Sequence, residues 1–308
     1  MMATLPQLES TYLSDGGLET DLIFNHGIDL PQFAAFPLIQ SETGRAALRT
    51  YYEEYVDIAR RDGVGIVLET PTWRANSHWA SLLGYSAEGI AEANHHAVGF
   101  VRDLDTHGVD VVVSGNVGPS GDGYVIADTM TTDQAADYHQ PQITSLAAAG
   151  ADMVGGLTLT YAEEAIGMVS AAREADIPIM IGFTVETDGN LPSGQPLAEA
   201  ITQVDDATDS STSYYMINCA HPSHFHDVLS QPGPWERLQG IRCNASELSH
   251  AELDEATELD RGDIESLAAH YVRLREVLPH LAVAGGCCGT DSEHIDAIST
   301  ALLMTAPR

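Results

Sequence analysis

The sequence contains no lysine, and its 13 basic residues face 45 acidic ones, for a formal net charge of −32. Nucleic acids and anionic membranes both require a basic footprint, so neither is expected as a partner. The acidity reads first as a solvated surface suited to high salt or to solubility, and second as attraction for a cationic substrate. No apolar run approaches the roughly 20 residues needed to span a bilayer. Met1–Leu8 has neither the basic flank nor the apolar core of a secretory signal, which predicts a cytoplasmic protein. Cysteine is scarce, with four in 308 residues. That is too few for a disulfide framework in a chain of this length, and the adjacent Cys287 and Cys288 bridge each other only with strain.

Apolar residues make up 44% of the chain, enough for a globular core. Short β-branched or apolar runs alternate with longer amphipathic stretches. The runs predict strands at 11–14, 65–69, 110–114, 152–157, 177–183, 214–218, 238–242 and 281–284. Most lack polar alternation, as expected for parallel strands buried on both faces. Helices are predicted over 42–61, 87–107, 132–149, 162–175, 197–208, 223–229, 263–278 and 292–304. Thr131-Thr132-Asp133 and Asp291-Ser292-Glu293 offer capping oxygens, and Gly63, Gly108 and Gly150 stand where helices must stop. Eight βα units in a chain of this length predict a single-domain (β/α)8 TIM barrel over residues 1–308, with a doubly wound open sheet as the alternative. The acidic stretch 245–262 reads as a long loop holding a short helix.

In such a barrel the chemistry sits at the C-terminal ends of the strands. Cys219 follows the sixth predicted strand, and Cys287 and Cys288 follow the eighth, flanked by Gly285, Gly286 and Gly289. Three thiols from two loops on one rim form a soft donor set that suits Zn2+ better than magnesium or calcium. Three protein ligands leave a fourth position open, the mark of a catalytic rather than a structural zinc. The alternative is that these cysteines are small buried hydrophobes. Cys243 ends the seventh strand, where it either completes a four-cysteine structural site or packs without ligating. His221, His224 and His226 are further potential ligands, or else cap and solvate the following helix. An electron-rich zinc–thiolate site is a poor Lewis acid for hydrolysis but deprotonates an entering thiol and leaves it nucleophilic. The natural reaction is displacement at an activated carbon, with methyl transfer the simplest case.

The segment Gly285-Gly286-Cys287-Cys288-Gly289-Thr290, with Asn218-Cys219 and Asp15-Gly16-Gly17, resembles the homocysteine S-methyltransferase family. Residues 69–76 (ETPTWRAN), 114–119 (SGNVGP) and 191–196 (LPSGQP) extend the likeness, especially to the homocysteine-binding barrel of methionine synthase. The resemblance implies a zinc barrel that methylates homocysteine to methionine, with Cys219, Cys287 and Cys288 as ligands. The partners it implies are a small-molecule thiol acceptor and a methyl donor of the S-methylmethionine, S-adenosylmethionine or betaine type. A homo-oligomer is left open.

The remaining motifs fit a small amino-acid thiol. Asp15 is placed to meet an ammonium group or merely to start a turn, and Gly16 and Gly17 to offer amides to a carboxylate. Thr70 and Asn116 are expected to orient polar groups on the same rim. Trp73 either covers a cationic donor by cation–π attraction or packs its loop. Glu19 and Glu69 are weaker candidates. Two positions depart from the family pattern: Leu157 stands where a glutamate holding the amino group is usual, and Arg242-Cys243-Asn244-Ala245 replaces a tyrosine–proline–asparagine loop. Either Asp15 alone holds homocysteine, or the acceptor lacks or disguises its amino group. Two further readings are a demethylase of a sulfonium or ammonium compound with the thiol as sink, and a zinc- or thiol-binding barrel without catalysis.

Overall fold

The computed structural model describes residues 5–126 and 128–305, so the first four residues of the Met1–Leu8 segment lie outside the described residues. Eight parallel strands close into a barrel in sequence order: β1 Tyr12–Ser14, β2 Gly65–Glu69, β3 Val111–Val117, β4 Met153–Leu159, β5 Ile179–Phe183, β6 Tyr214–Asn218, β7 Leu238–Cys243 and β8 Val283–Gly286. Closure is made where Tyr12 pairs with Val283 and Leu13 with Ala284. This excludes the open-sheet alternative. Every expected strand is present; β3 extends further toward its C-terminal end because Gly115, Asn116 and Val117 pair with Val154, Gly155 and Gly156, and β4 because Leu159 pairs with Phe183.

The long helices pack outside the barrel, and their ends follow local chemistry. The Ser41 hydroxyl accepts the Gly44 amide at 3.0 Å to start helix Glu42–Asp62, which stops at Gly63 in the left-handed conformation, φ 67°. Thr131 and Gln134 form a reciprocal capping box for helix Thr132–Ala148. Helix Ala87–Arg102 ends well before the expected His107. The Asp105 carboxylate accepts the His107 amide at 3.2 Å, and Arg60 donates to the Asp105 and His107 carbonyls, so this stretch is held as a turn. The stretch 245–262 does contain a short helix, His250–Asp254. Among the described residues no helix is long and apolar enough to cross a membrane.

Two apolar layers result. One lies between sheet and helices; the other fills the barrel with Tyr12, Val67, Val112, Met153, Met180, Tyr214, Met216 and Val283, closed below by Leu5 and above by Leu157. A filled barrel is a packed core, not a pore, so ligands are confined to the C-terminal mouth.

Candidate metal and acceptor site

The mouth encloses a cavity of about 390 Å³ lined by the ends of β1, β2, β3, β4, β6 and β7 and by the loop after β8. The three cysteines meet there. The Sγ atoms of Cys219, Cys287 and Cys288 all lie within 4.8 Å of one another, the only such donor cluster among the described residues. Cys219 and Cys287 stand in disulfide contact with Cα atoms 5.4 Å apart, and Cys288 Sγ lies 4.0 Å from Cys219 Sγ. The sequence gives no sign of that bridge, because it joins residues that each look like one member of a metal-binding set.

Cys219 adopts a left-handed backbone, φ 56°, which a non-glycine residue avoids unless its surroundings impose it. Three side chains impose it here by converging on its carbonyl oxygen: His250 Nε2 at 2.8 Å, Asn244 Nδ2 at 3.1 Å and Thr184 Oγ1 at 3.2 Å. The other loop is equally constrained. The Cys287 amide donates to the Cys243 carbonyl at 2.8 Å, the Thr290 hydroxyl donates to the Cys287 carbonyl at 2.7 Å, and Gly289 takes φ 81°. Hydroxyls also reach the sulfurs, Tyr124 Oη at 3.5 Å from Cys288 and Thr158 Oγ1 at 3.8 Å from Cys219. Burial pushes the Cys288 thiol above its ordinary range, so its ionisation needs a compensating positive charge.

Cys243 does not join them. Alternation along β7 turns Arg242 into the barrel and Cys243 outward, where it packs in the apolar layer beneath the helices, and burial raises its thiol to about 12. A closed four-cysteine site is therefore not formed. Cys243→Ser is expected to leave metal stoichiometry unchanged, checked by elemental analysis; loss of metal would return Cys243 to the ligand set. The histidines are also elsewhere. His221 caps its helix by accepting the Ser223 amide at 3.2 Å, and burial followed by repulsion from His270 and His224 lowers it to about 4. His224 Nε2 donates to the Glu247 carbonyl, and His226 lies beside Asp227.

The structure brings Asp15, Gly16, Gly17, Thr70, Trp73 and Asn116 to the same cavity, yet several are already engaged. Asp15 is buried against Arg242, Nη2 to Oδ1 2.8 Å, and accepts the Tyr51 hydroxyl at 3.1 Å. The Gly17 amide donates to the Thr290 carbonyl at 3.0 Å, so it is not free for a carboxylate. At Gly16 a Cβ would lie 2.6 Å from the Tyr55 hydroxyl, so close approach demands glycine there. The Thr70 hydroxyl accepts the Asn116 amide at 3.0 Å and ties β2 to β3. The Trp73 indole donates to the Leu157 carbonyl at 3.2 Å, while Arg74 stacks between Trp73 and Trp79, 4.3 and 3.6 Å from the ring centroids. The ring expected to cover a donor cation thus already carries one of the protein's own. Burial raises both Glu19 and Glu69 to about 7, opposed in each case by Arg242.

The sequence marks Arg242 only as a departure from the family pattern and gives no sign of a role for Tyr124. Arg242 is the centre of the cavity floor: besides Asp15 it donates to the carbonyls of Gly286 at 2.9 Å and Gly16 at 3.0 Å. A lone arginine at the end of an apolar strand was the available signal. Tyr124 stacks on His250 with ring centroids 4.0 Å apart, a contact that nothing in its local sequence announces.

A closed parallel barrel with three thiols gathered at its C-terminal mouth defines a class, the (β/α)8 barrels with a cysteine cluster at the mouth. Within it, the chain belongs to the homocysteine S-methyltransferase family, whose model matches residues 12–302, and it is a methyltransferase. Homocysteine S-methyltransferase 2 of Zea mays is 24% identical, over 94% of this chain and 88% of that protein. Homocysteine S-methyltransferase 3 of Arabidopsis thaliana is also 24% identical, with the same coverage of both. The fold is shared with the Escherichia coli homocysteine methyltransferase MmuM. Its oxidized form superposes with a TM-score of 0.75 at 17% identity, covering 96% of this chain and 98% of that one. Its metallated form gives a TM-score of 0.73 at the same identity, covering 94% and 96%.

Proposed function

We propose that this barrel transfers a methyl group from a cationic donor to the sulfur of homocysteine or a close thiol relative, with zinc held by Cys219, Cys287 and Cys288. The observation that carries the reading is the convergence of those three sulfurs within 4.8 Å at the cavity wall. Three soft donors, with no fourth ligand grouped with them among the described residues, fit zinc with one position open to substrate. When bound, the ion lowers the pKa of an entering thiol so that it reacts as thiolate at neutral pH.

The protein's own groups do the rest. The Tyr124 and Thr158 hydroxyls lie at the ligand sulfurs and moderate their charge. Phe24, Phe33 and Leu157 give the cavity apolar walls that limit water beside the reacting sulfur. Asp122, Asp254, Glu258 and Asp260 line the same cavity, and their negative field favours a sulfonium or ammonium donor over a neutral one. Because a Cys219–Cys287 bridge would remove two ligands, the reading also places the active enzyme in a reducing compartment such as the cytoplasm.

Calorimetric titration of zinc-loaded protein with homocysteine at pH 8, repeated in buffers of different ionisation enthalpy, tests the acceptor. A free thiol has a pKa of about 8.5, so at pH 8 binding as thiolate should release about three quarters of a proton. Absence of binding by fully metallated protein would remove homocysteine as the acceptor.

A further inference from the structure

We infer that Glu69 is the specificity residue that receives the ammonium group of the acceptor, an inference that rests on the amino-acid thiol reading above. The cavity floor is one cation short. Asp15 is ion-paired with Arg242 at 2.8 Å and accepts the Tyr51 hydroxyl on its other oxygen. Glu69 is the more weakly paired acid: its nearest approach to that guanidinium is 3.9 Å, outside hydrogen-bond reach, and, although the residue is only 3% exposed, the donor beside its carboxylate is the neutral Ser114 hydroxyl rather than a cation. Asn116 Oδ1 on the neighbouring strand is a buried acceptor without a donor. A carboxylate without a close counter-charge and an amide oxygen without a donor, on one cavity wall, call for a group rich in hydrogens and positively charged. An ammonium, with three donors and no acceptor, meets both demands.

The backbone makes room for this acid. Glu69 reaches from β2 across to β4 at Gly155, where even a Cβ would lie 3.3 Å from Oε2. Gly155 and Leu157 face the same side of β4, so the carboxylate lies one inward position below the leucine that supplies the apolar wall. It is also near the thiols. The guanidinium next to Glu69 donates to the Gly286 carbonyl, in the residue before Cys287, so one side chain separates the acid from the loop that would hold the metal. Burial without a full counter-charge accounts for the raised protonation of Glu69, which an arriving ammonium would reverse.

The experiment compares homocysteine with its des-amino analogue, mercaptobutyrate, by calorimetry on zinc-loaded parent, Glu69→Gln and Glu69→Asp proteins of verified metal content. A charged hydrogen bond at a buried site predicts that the parent prefers homocysteine by about tenfold or more. Glu69→Gln should erase that preference, with affinity for mercaptobutyrate changed less than twofold. Glu69→Asp keeps the charge beside Arg242, and with it the fold, but shortens the reach; it should weaken homocysteine selectively. Equal binding of the two thiols by the parent, or parallel losses for both in the variants, would overturn the role of Glu69 while leaving the acceptor reading intact. Failure of the parent to bind either thiol would overturn both.

Discussion

Serine in place of Cys219, Cys287 or Cys288 is expected to lower kcat/KM by roughly 10³-fold or more and to reduce bound zinc from one per chain to a trace. Removing a group that merely supports a ligand typically costs 10–100-fold in metal affinity or activity, so losing a ligand should cost more. The reasoning rests on the geometry of the mouth: three sulfurs within 4.8 Å and no other such cluster among the described residues. Serine keeps the size of the side chain but replaces a soft thiolate with a hydroxyl that stays protonated at neutral pH. Each variant should remain folded by circular dichroism, since the backbone hydrogen bonds of these loops do not involve sulfur. Full metal content and full activity in any one variant would remove that cysteine from the ligand set.

Arg242→Met is expected to be the most damaging change that touches no cysteine. Its guanidinium holds Asp15 and the carbonyls of Gly16 and Gly286 inside the barrel. Removing one partner of a buried ion pair commonly costs about 3–5 kcal/mol, because the remaining charge is stranded. At about 2–4 °C per kcal/mol for a protein of this order of size, Tm should fall by roughly ten degrees. Adding Asp15→Asn should recover part of that loss, since the stranded carboxylate disappears. Urea unfolding of the parent, both single variants and the double variant measures the coupling as a cycle. An unfolding free energy for Arg242→Met within about 1 kcal/mol of the parent would show that the pair is stabilised mainly by its surroundings.

Much of the architecture is readable from residue order because the strands are buried on both faces. Runs such as Gly65–Glu69 and Tyr214–Asn218 are apolar without alternation, and the structure reproduces those two strands at the expected bounds. The end of helix Ala87–Arg102 was not readable, since the choice between another helical turn and a side-chain-held turn at Asp105 depends on Arg60, far away in sequence. The convergence of the thiols was legible for a topological reason: a residue directly after a barrel strand has only one rim to occupy. The polar floor was not. Asp15, Glu69 and Arg242 come from β1, β2 and β7, and nothing local records that a positive side chain from one end of the chain neutralises an acid from the other. Taken alone, Asp15 looks free for substrate; only the closed barrel shows it already paired at 2.8 Å and leaves Glu69 as the more weakly paired acid, 3.9 Å from the same guanidinium.

The backbone around the cysteines has one more consequence. β7 carries none of the converging thiols, yet it stitches together the two loops that do: the Cys219 amide donates to the Arg242 carbonyl, the Cys287 amide to the Cys243 carbonyl, and the Ala245 amide to the Cys288 carbonyl. The loops are therefore ordered by peptide hydrogen bonds rather than by an ion. On the proposed reading, little chain entropy would remain to be lost on binding an ion, and its intrinsic affinity would be expressed almost undiminished. Where a small zinc finger spends metal binding on folding, the proposed zinc site would be a largely preorganised chelate assembled by a strand that supplies none of its ligands.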